Sequence, residues 1–393
     1  MRTLRSRPLM GEWAVGIRPP MASPLEVVQS KPAAWLFAAV CVSLFLDSAL
    51  LTAVVPILPD ELRRWGSNGT RPLGMLLASK AFIELLANPF AGAWTARLGS
   101  RYLLAVGDAV LLFSSSLFAV GGSFGVLLAA RALHGIGSSC LKISGLASLA
   151  AAFRGTERNR KLAWALAAGA LGVVVGYPLG GVLSDWCGTA AVPLALLAAL
   201  CALATGFSGT LARVVKVNEF EMTHGRPGLL LALLRDPYVL LASGTVGLSA
   251  VTVAVLEACL PSWLRKTLRP SRWQLGTVFL PDSVGYLLGT TAFGRLAGEA
   301  TRWRMVLLAT SLVTVSVLMI PEVRSVKYLV GPHLALGLGI GVADVCLMPL
   351  LALRLESRQL GSYGAVYAVV ETAVSLAYCF GGARAWRNRD ECV

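Results

Sequence analysis

Charged residues are scarce in this sequence of 393 residues. Asp, Glu, Lys and Arg together make up 14% of the chain, whereas hydrophobic residues make up 56%. This balance excludes an ordinary soluble domain, and long apolar runs recur from Ala34 almost to the C-terminus. A hydrocarbon core of about 30 Å requires roughly 20 apolar residues per helix, so we predict a polytopic, all-α membrane protein. The eleven predicted spans are 34–58, 73–96, 102–122, 124–151, 162–184, 190–210, 238–261, 275–298, 303–321, 327–352 and 362–383.

Ordered patterns of histidine and cysteine are also missing. The three histidines, His134, His224 and His333, are scattered, and we find no convergent catalytic set, which argues against an enzyme. The eight cysteines are irregularly spaced and predict neither a disulfide framework nor a zinc site. Residues 1–33 lack the apolar region of a cleavable signal peptide. We therefore expect a membrane protein with no metal or organic cofactor.

The net charge of +14 does not indicate a nucleic-acid partner, because the basic residues lie in short loops at alternate helix ends. By the positive-inside rule, the N-terminal segment and the loops after the even-numbered helices are predicted to be cytoplasmic. Basic residues after the seventh helix, such as Arg265 and Lys266, depart from this pattern. A glycosylation sequon begins at Asn68 in the first non-cytoplasmic loop, which suits the predicted topology.

One long internal polar segment divides the chain. We predict a cytoplasmic N-terminal segment (1–33), a six-helix half (34–211), a cytoplasmic central loop (212–237), a five-helix half (238–383) and a polar tail (384–393). Two pseudo-symmetric halves of six helices, with a binding site between them at the midplane, are the plan of the major facilitator fold. The ending "ARAWRNRDECV" is too polar to span a membrane. The sequence thus predicts that a twelfth helix is absent or that this terminus is an alternative one.

Ionisable residues occur inside the predicted helices, where a charge at the helix centre costs at least about 2.5–3.5 kcal/mol. Asp47 lies near the middle of the first helix, and Lys80 and Glu84 lie four apart on one face of the second. The others are Arg131 and Lys142 in the fourth helix, Glu257 in the seventh, Asp282 in the eighth, Asp344 in the tenth and Glu371 in the eleventh.

These charges allow two interpretations. Asp47, Asp344 and Glu371 are interpreted as a proton relay with a cation site, because a buried carboxylate can exchange protons and an ionised one can hold an ammonium group. Alternatively, acids and bases pair to bridge helices, as Lys80 could with Asp47 or Asp344. For Glu84 and Lys142 we predict such a structural pairing.

Tyrosines accompany the charges in the eighth and eleventh helices. They are Tyr286, Tyr363, Tyr367 and Tyr378, and Tyr367 precedes Glu371 by one turn. A tyrosine face can hold a cation and its hydroxyl can bond a substrate, although packing within the bundle or at the membrane interface would explain the same residues.

Several segments together resemble a known family. "GAWTARLGSR", with Gly92, Arg97, Gly99 and Arg101, resembles the loop motif between helices two and three of major facilitator transporters. "GVVVGYPLGG", with Gly172, Gly176, Pro178 and Gly180, resembles the antiporter motif of their fifth helix. "LFLDSALLTAVVPILP", "LLASKAFIELLANPFAG", "ARALHGIGSSC", "LEACLP", "RWQLGTVFLP" and "GSYGAVYAVVETA" resemble the vesicular amine transporters. The resemblance covers about residues 35–382.

The resemblance implies roles for individual residues. Asp47 would bind the substrate ammonium, Glu257 would take part in substrate binding, and Tyr286 and Tyr378 would be pocket or gate residues. Tyr367 is predicted to bind substrate from its position one turn before Glu371 rather than from the resemblance. Proton coupling would involve Asp344, Glu371, Arg131 and Lys80, with Lys80 in an ionic network with Asp344.

The sequence also departs from the family. Ser48 stands where the family has an asparagine after its first-helix acid, and Ala250 replaces a seventh-helix asparagine. Glu371 is one methylene longer than the usual aspartate, and Lys142 replaces a small polar residue.

We therefore expect a proton-gradient-driven antiporter that moves monoamines from the cytosol into acidic secretory or synaptic vesicles. Its expected partners are a small cationic amine, protons and the lipid bilayer. Two alternatives remain: an antiporter for another organic cation, such as acetylcholine, a polyamine or a drug, and a transport-inactive truncated form.

Overall fold

A computed structural model describes residues 31–64, 70–214, 229–268, 277–293, 301–358 and 362–387. Eleven long helices account for most of these residues. They are α1 (Lys31–Arg64), α2 (Thr70–Leu98), α3 (Ser100–Val120), α4 (Phe124–Ala152), α5 (Gly155–Cys187), α6 (Ala191–Val214), α7 (Pro237–Thr267), α8 (Leu280–Phe293), α9 (Arg302–Met319), α10 (Val330–Ser357) and α11 (Tyr363–Arg387). A short helix, Leu229–Leu233, precedes α7, and two 3₁₀ turns, Ile320–Glu322 and Val326–Leu329, lie between α9 and α10. The prediction of about eleven helices is confirmed.

Nine of the described helices are long and apolar enough to cross a membrane. The other two are α2, whose hydropathy is reduced by Lys80, Glu84 and Asn88, and α8, which has 14 residues within the described ranges. Large apolar side chains are exposed on the outer faces of the bundle, including Phe113, Leu203 and Leu308. Such a surface suits lipid, since lipid tails solvate these side chains as well as a protein core does.

The helices pack as two groups that meet along defined pairs. Within the first group, α1 packs on α5, α3 on α4 and α6, and α2 on α4; within the second, α8 and α9 pack on α10, and α7 on α11. The groups contact each other mainly through α2 with α11 and α5 with α8. We call these groups the N-terminal half (α1–α6) and the C-terminal half (α7–α11).

Short connections make neighbouring helices antiparallel. One to three residues join α2 to α3, α3 to α4, α4 to α5 and α5 to α6. The ends of α2, α4 and α10 therefore lie at the same side of the bundle as the starts of α3, α5 and α11. We call this side the basic end, because its predicted loops carry most of the basic residues.

Glycines bring α1 and α5 into close contact. A Cβ atom at Gly172 would lie 3.1 Å from the backbone nitrogen of Ala49, and one at Gly176 would lie 3.0 Å from the Ala49 Cα. Both glycines are buried, and Pro178 follows within the same helix. The glycine-rich segment "GVVVGYPLGG" of α5 thus forms the contact with α1, the helix that carries Asp47.

Candidate functional site

Asp47 lies at the centre of the N-terminal half and is 1% exposed. Its Oδ2 accepts a hydrogen bond of 2.7 Å from the Ser138 hydroxyl, and its Oδ1 lies 3.1 Å from Nε2 of His134. His134 and Ser138 are four apart in α4, so one face of that helix supplies both partners. Each carboxylate oxygen therefore has a polar neighbour, as burial of a charge requires.

Lys80 connects to Asp47 through Ser138. Its Nζ donates to the Ser138 hydroxyl oxygen at 2.9 Å and to Glu84 Oε1 at 2.6 Å. The predicted position of Lys80 and Glu84 on one helix face is thus confirmed. The ionic network of Lys80 with Asp344, which the resemblance implied, is not formed in this structure, because Lys80 points into the N-terminal half.

Asp344 is held instead by a tyrosine of the neighbouring helix. The Tyr286 hydroxyl of α8 donates to Asp344 Oδ2 at 2.9 Å. Asp344 Oδ1 is buried and has no hydrogen-bond partner among the described residues. Glycines allow this approach, since a Cβ at Gly341 would lie 2.6 Å from the Tyr286 backbone oxygen. Asp344 therefore keeps one oxygen available for a proton or a cation.

Glu84 and Glu371 share a second lysine. Lys142 Nζ lies 3.3 Å from Glu84 Oε1 and 3.8 Å from Glu371 Oε2. Glu84 and Lys142, for each of which a structural pairing was predicted, lie against each other, and Glu84 Oε1 lies against the ammonium groups of both Lys80 and Lys142. The contact of Lys142 with Glu371 was not predicted.

Arg131 lies in α4 and is 1% exposed. Its Nε and Nη1 have no hydrogen-bond partner among the described residues. Burying donors without such bonds is costly.

Two of the predicted pocket residues lie apart from Asp47. Glu257 is exposed near the end of α7, within electrostatic range of Asp282 in α8. Tyr378 in α11 is half-buried and lies within electrostatic range of the same two acids. Together they form an acidic and aromatic region on the side of the bundle opposite the basic end.

Tyr367 is enclosed between α11 and α10 in this structure. It was predicted to bind substrate, but it is 0% exposed, and its hydroxyl donates to the backbone oxygen of Met348 at 3.3 Å. It thus packs α11 against α10 in this structure. Asn68, the predicted glycosylation site, lies outside the described residues.

Sequence reasoning missed two buried polar residues. His134 was treated only as one of three scattered histidines, yet it contacts Asp47. Asp108 in α3 is 1% exposed and accepts a hydrogen bond of 3.0 Å from Ser43. The spacing of His134 and Ser138 by one helical turn was the available signal for the first, and an acid within the apolar run "AVGDAVLLF" was the signal for the second.

The segment from Gly92 to Arg101 forms the turn between α2 and α3. Gly99 has a φ of +86°, a conformation that favours glycine, and Arg97 lies in the last turn of α2. A Cβ at Gly92 would lie 2.6 Å from the Ala368 Cβ. The segment thus provides both a tight turn and a close contact between α2 and α11.

The two halves are also joined at the basic end. Arg158 Nη2 of α5 donates to Glu356 Oε1 of α10 at 2.5 Å, and the Tyr363 hydroxyl of α11 donates to the same oxygen at 2.6 Å. Arg158 is 2% exposed. These bonds, with the contact of Gly92 and Ala368, close this end of the space between the halves.

The architecture is that of a membrane protein built from two helical halves, with ionisable residues buried within and between them. Residues 20–382 match the Major Facilitator Superfamily. The human organic anion transporter MFSD10 shares the fold, with a TM-score of 0.70 over 90% of this chain and 92% of that chain, at 20% identity.

Two curated relatives identify the family within this superfamily. The chain is 38% identical to the synaptic vesicular amine transporter of Rattus norvegicus over 79% of its own length and 59% of the relative's. It is 35% identical to the probable vesicular acetylcholine transporter-B of Danio rerio over 88% of its own length and 72% of the relative's. The chain therefore spans about 59% of the length of the rat relative. It belongs to the Major Facilitator Superfamily and, within it, to the vesicular amine transporter family.

Proposed function

We propose that this protein is a proton-coupled antiporter that carries monoamines of the serotonin, dopamine, noradrenaline and histamine class from the cytosol into acidic secretory vesicles. The observation that carries this proposal is the position of Asp47, a carboxylate that is 1% exposed within an apolar helix bundle. A buried acid at membrane depth is costly, and acids retained there mark the pathways of cations and protons.

The contacts of Asp47 support a role as counter-ion for an amine. Its two oxygens are bonded by the Ser138 hydroxyl and by the His134 imidazole, while Lys80 reaches it only through Ser138. A protonated amine could replace either neutral partner and form a charge-assisted hydrogen bond, which is stronger than the bond it displaces. Because Asp47 is closed off in this arrangement, the amine would enter only when the halves separate.

The second acidic pair supports proton exchange. Asp344 has one oxygen bonded by Tyr286 and one with no partner among the described residues, and Glu371 faces Lys142 across the interface. A proton from the acidic lumen would neutralise these acids in one orientation of the carrier and leave them in the other. Only such a difference in affinity between two states can drive exchange.

The relatives support the compartment and the substrate class. The two relatives are named as a synaptic vesicular amine transporter and a probable vesicular acetylcholine transporter. As part of the proposal, we assign this chain to the vesicle membrane and give it a cationic amine as substrate. The zebrafish relative favours one second candidate, an antiporter for acetylcholine or another organic cation, because it matches the larger share of this chain.

The experiment is uptake of radiolabelled serotonin into proteoliposomes with an acidic interior. We expect accumulation that a protonophore abolishes and that empty liposomes do not show. Competition by unlabelled monoamines, acetylcholine and polyamines would then rank the substrates. Purified, monodisperse protein that accumulates none of these cations would overturn the proposal.

A further inference from the structure

Lys142 occupies a position between two carboxylates that belong to different halves of the protein. Glu84 lies in α2, within the same half as Lys142, whereas Glu371 lies in α11 of the opposite half. The Lys142 Nζ is 3.3 Å from Glu84 Oε1 and 3.8 Å from Glu371 Oε2. Lys142 thus has one carboxylate partner that stays with it and one that leaves when the halves separate.

Lys142 and Glu371 lie between the centre of the bundle and its basic end. Lys142 precedes the end of α4 at Ala152 by about three turns, and Glu371 follows the start of α11 at Tyr363 by about two. Both of these helix termini are at the basic end. The contact between Lys142 and Glu371 therefore lies on the same side as the bond between Arg158 and Glu356, and it adds to the closure of that side.

We propose that Lys142 is the coupling residue that links the proton on Glu371 to the opening of the basic end, which is the predicted cytoplasmic side. This rests on the proposed function, because it assumes that luminal protons reach Glu371. With Glu371 ionised, its attraction to Lys142 holds α4 and α11 together. With Glu371 protonated, that attraction is lost and the cytoplasmic side opens more readily.

Glu84, whose carboxylate contacts both Lys80 and Lys142, makes the opening of the cytoplasmic side reversible. When Glu371 is neutral, Lys142 keeps Glu84 as its counter-ion, so no unpaired ammonium remains in the bundle. The direction also suits antiport. A carrier closed at the cytoplasmic side takes its proton from the lumen, and the proton then favours return to the cytosol-facing state.

Other charged and titratable groups face Glu371. They are Glu84 and Lys80 from α2, Asp47 from α1, Asp344 from α10 and Tyr286 from α8. On α7, Gly247 packs against Ala373 of α11, and neither residue can titrate. Among the described residues, Lys142 is the basic residue whose ion pair with Glu371 crosses between the halves.

The first test measures the conformation directly and needs no substrate. Spin labels are placed at Leu98 of the N-terminal half and Ser357 of the C-terminal half, both exposed at the basic end. Double electron–electron resonance spectroscopy measures the distance between them and therefore the separation of the halves. The native cysteines are replaced in this background. In wild type, we expect a short distance at neutral pH and a growing long-distance population at acidic pH.

The variants decide the role of Lys142. Lys142→Met and Glu371→Gln should both show the long distance at either pH, whereas Lys142→Arg should keep the wild-type response. The double variant Lys142→Met with Glu84→Gln also removes the link between the halves, but it leaves position 84 without an unpaired buried charge and keeps the net charge unchanged. It serves as a control in case Lys142→Met alone misfolds, and it should behave as Lys142→Met does. A wild-type pH response in a folded Lys142→Met or double variant would overturn the proposal.

The second test separates coupling from a merely structural role. Lys142→Met should retain serotonin exchange at equal pH on both sides but lose proton-driven accumulation by about tenfold, the shift expected from losing a partly buried charge pair. If exchange and accumulation fall in parallel, Lys142 is only structural. If wild type shows neither activity, the proposed function fails, while the distance measurement still tests the link.

Discussion

Arg158 and Glu356 join the two halves of the protein at one end. The guanidinium of Arg158 donates to Glu356 Oε1 at 2.5 Å and also lies 5.7 Å from the centre of the Tyr363 ring. Nε of the same guanidinium donates to the backbone oxygen of Phe153 at 2.8 Å. Since Tyr363 also donates to Glu356, one acid holds groups from α5 and α11 together. The structure is therefore closed at the basic end.

Removal of this ion pair should slow transport. Glu356→Gln leaves Arg158 buried without a counter-charge, so we expect net serotonin uptake to fall several-fold. The exchange Arg158→Glu with Glu356→Arg should recover part of the loss, because the opposite charges again face each other. Uptake into proteoliposomes measures both variants. A charge exchange that transports no better than Glu356→Gln would argue that closure does not depend on this pair.

Asp47→Asn should abolish amine uptake without preventing folding. The amide keeps the shape of the side chain and can still bond Ser138, but it cannot balance the charge of an ammonium group. Uptake of radiolabelled serotonin and the thermal transition in detergent measure the two properties.

A matched control for Asp47 is present in α3. Asp108 is equally buried, at 1% exposed, but it bonds Ser43 within the N-terminal half and has no contact with Lys80 or Ser138. We expect Asp108→Asn to keep most of the uptake. Equal loss in both variants would show that any buried acid in this half is needed for folding.

The seam between α1 and α5 should tolerate no added atom. A Cβ at Gly180 would lie 2.7 Å from the carbonyl carbon of Ala53, whereas one at Gly181 would meet nothing within 4 Å. We expect Gly180→Ala to destabilise the protein by about 1–3 kcal/mol and Gly181→Ala to have little effect. Thermal melting in detergent measures both, and similar melting temperatures would contradict the close approach of the two helices.

Asp236 should make the stability of the basic end depend on pH. Burial alone would raise its pKa, but hydrogen bonds from Arg354 and from the backbone N–H of Tyr238, with the charges of Arg354 and Arg358, hold that pKa below the usual range for aspartate. A lowered pKa means that the stabilisation is present above the ordinary aspartate pKa and is lost as the pH falls through the folded value.

The variant Asp236→Ala tests this. Asp236 caps α7, accepting from Tyr238 N at 3.0 Å, and its Oδ2 lies 3.0 Å from Arg354 Nε. We expect a loss of about 1 kcal/mol at neutral pH that shrinks in acid. Unfolding measured across that range provides the check, and a loss independent of pH would show that Asp236 acts through its shape alone.

The sequence by itself determined the helices and their number. Eleven apolar runs predict eleven helices, because in a bilayer the backbone groups of such runs must bond within the helix. The i, i+4 spacing also determined that Lys80 and Glu84 would meet, because neighbours at that spacing share one face of a helix. The buried acids Asp47, Asp344 and Glu371 were identified because a charge in an apolar run is rare.

Only the tertiary structure decided which of these residues meet across helices. Lys80 lies toward Glu84 and Ser138 rather than Asp344, and Lys142 lies between Glu84 and Glu371. Tyr367, one turn before Glu371, packs against α10, where its hydroxyl donates to the Met348 backbone oxygen. Helical periodicity specifies which residues share a face, but the rotation of each helix and its partners follow from the packing of the whole bundle. The partners of His134, Lys142 and Tyr367 could therefore be identified only when the helices were seen together.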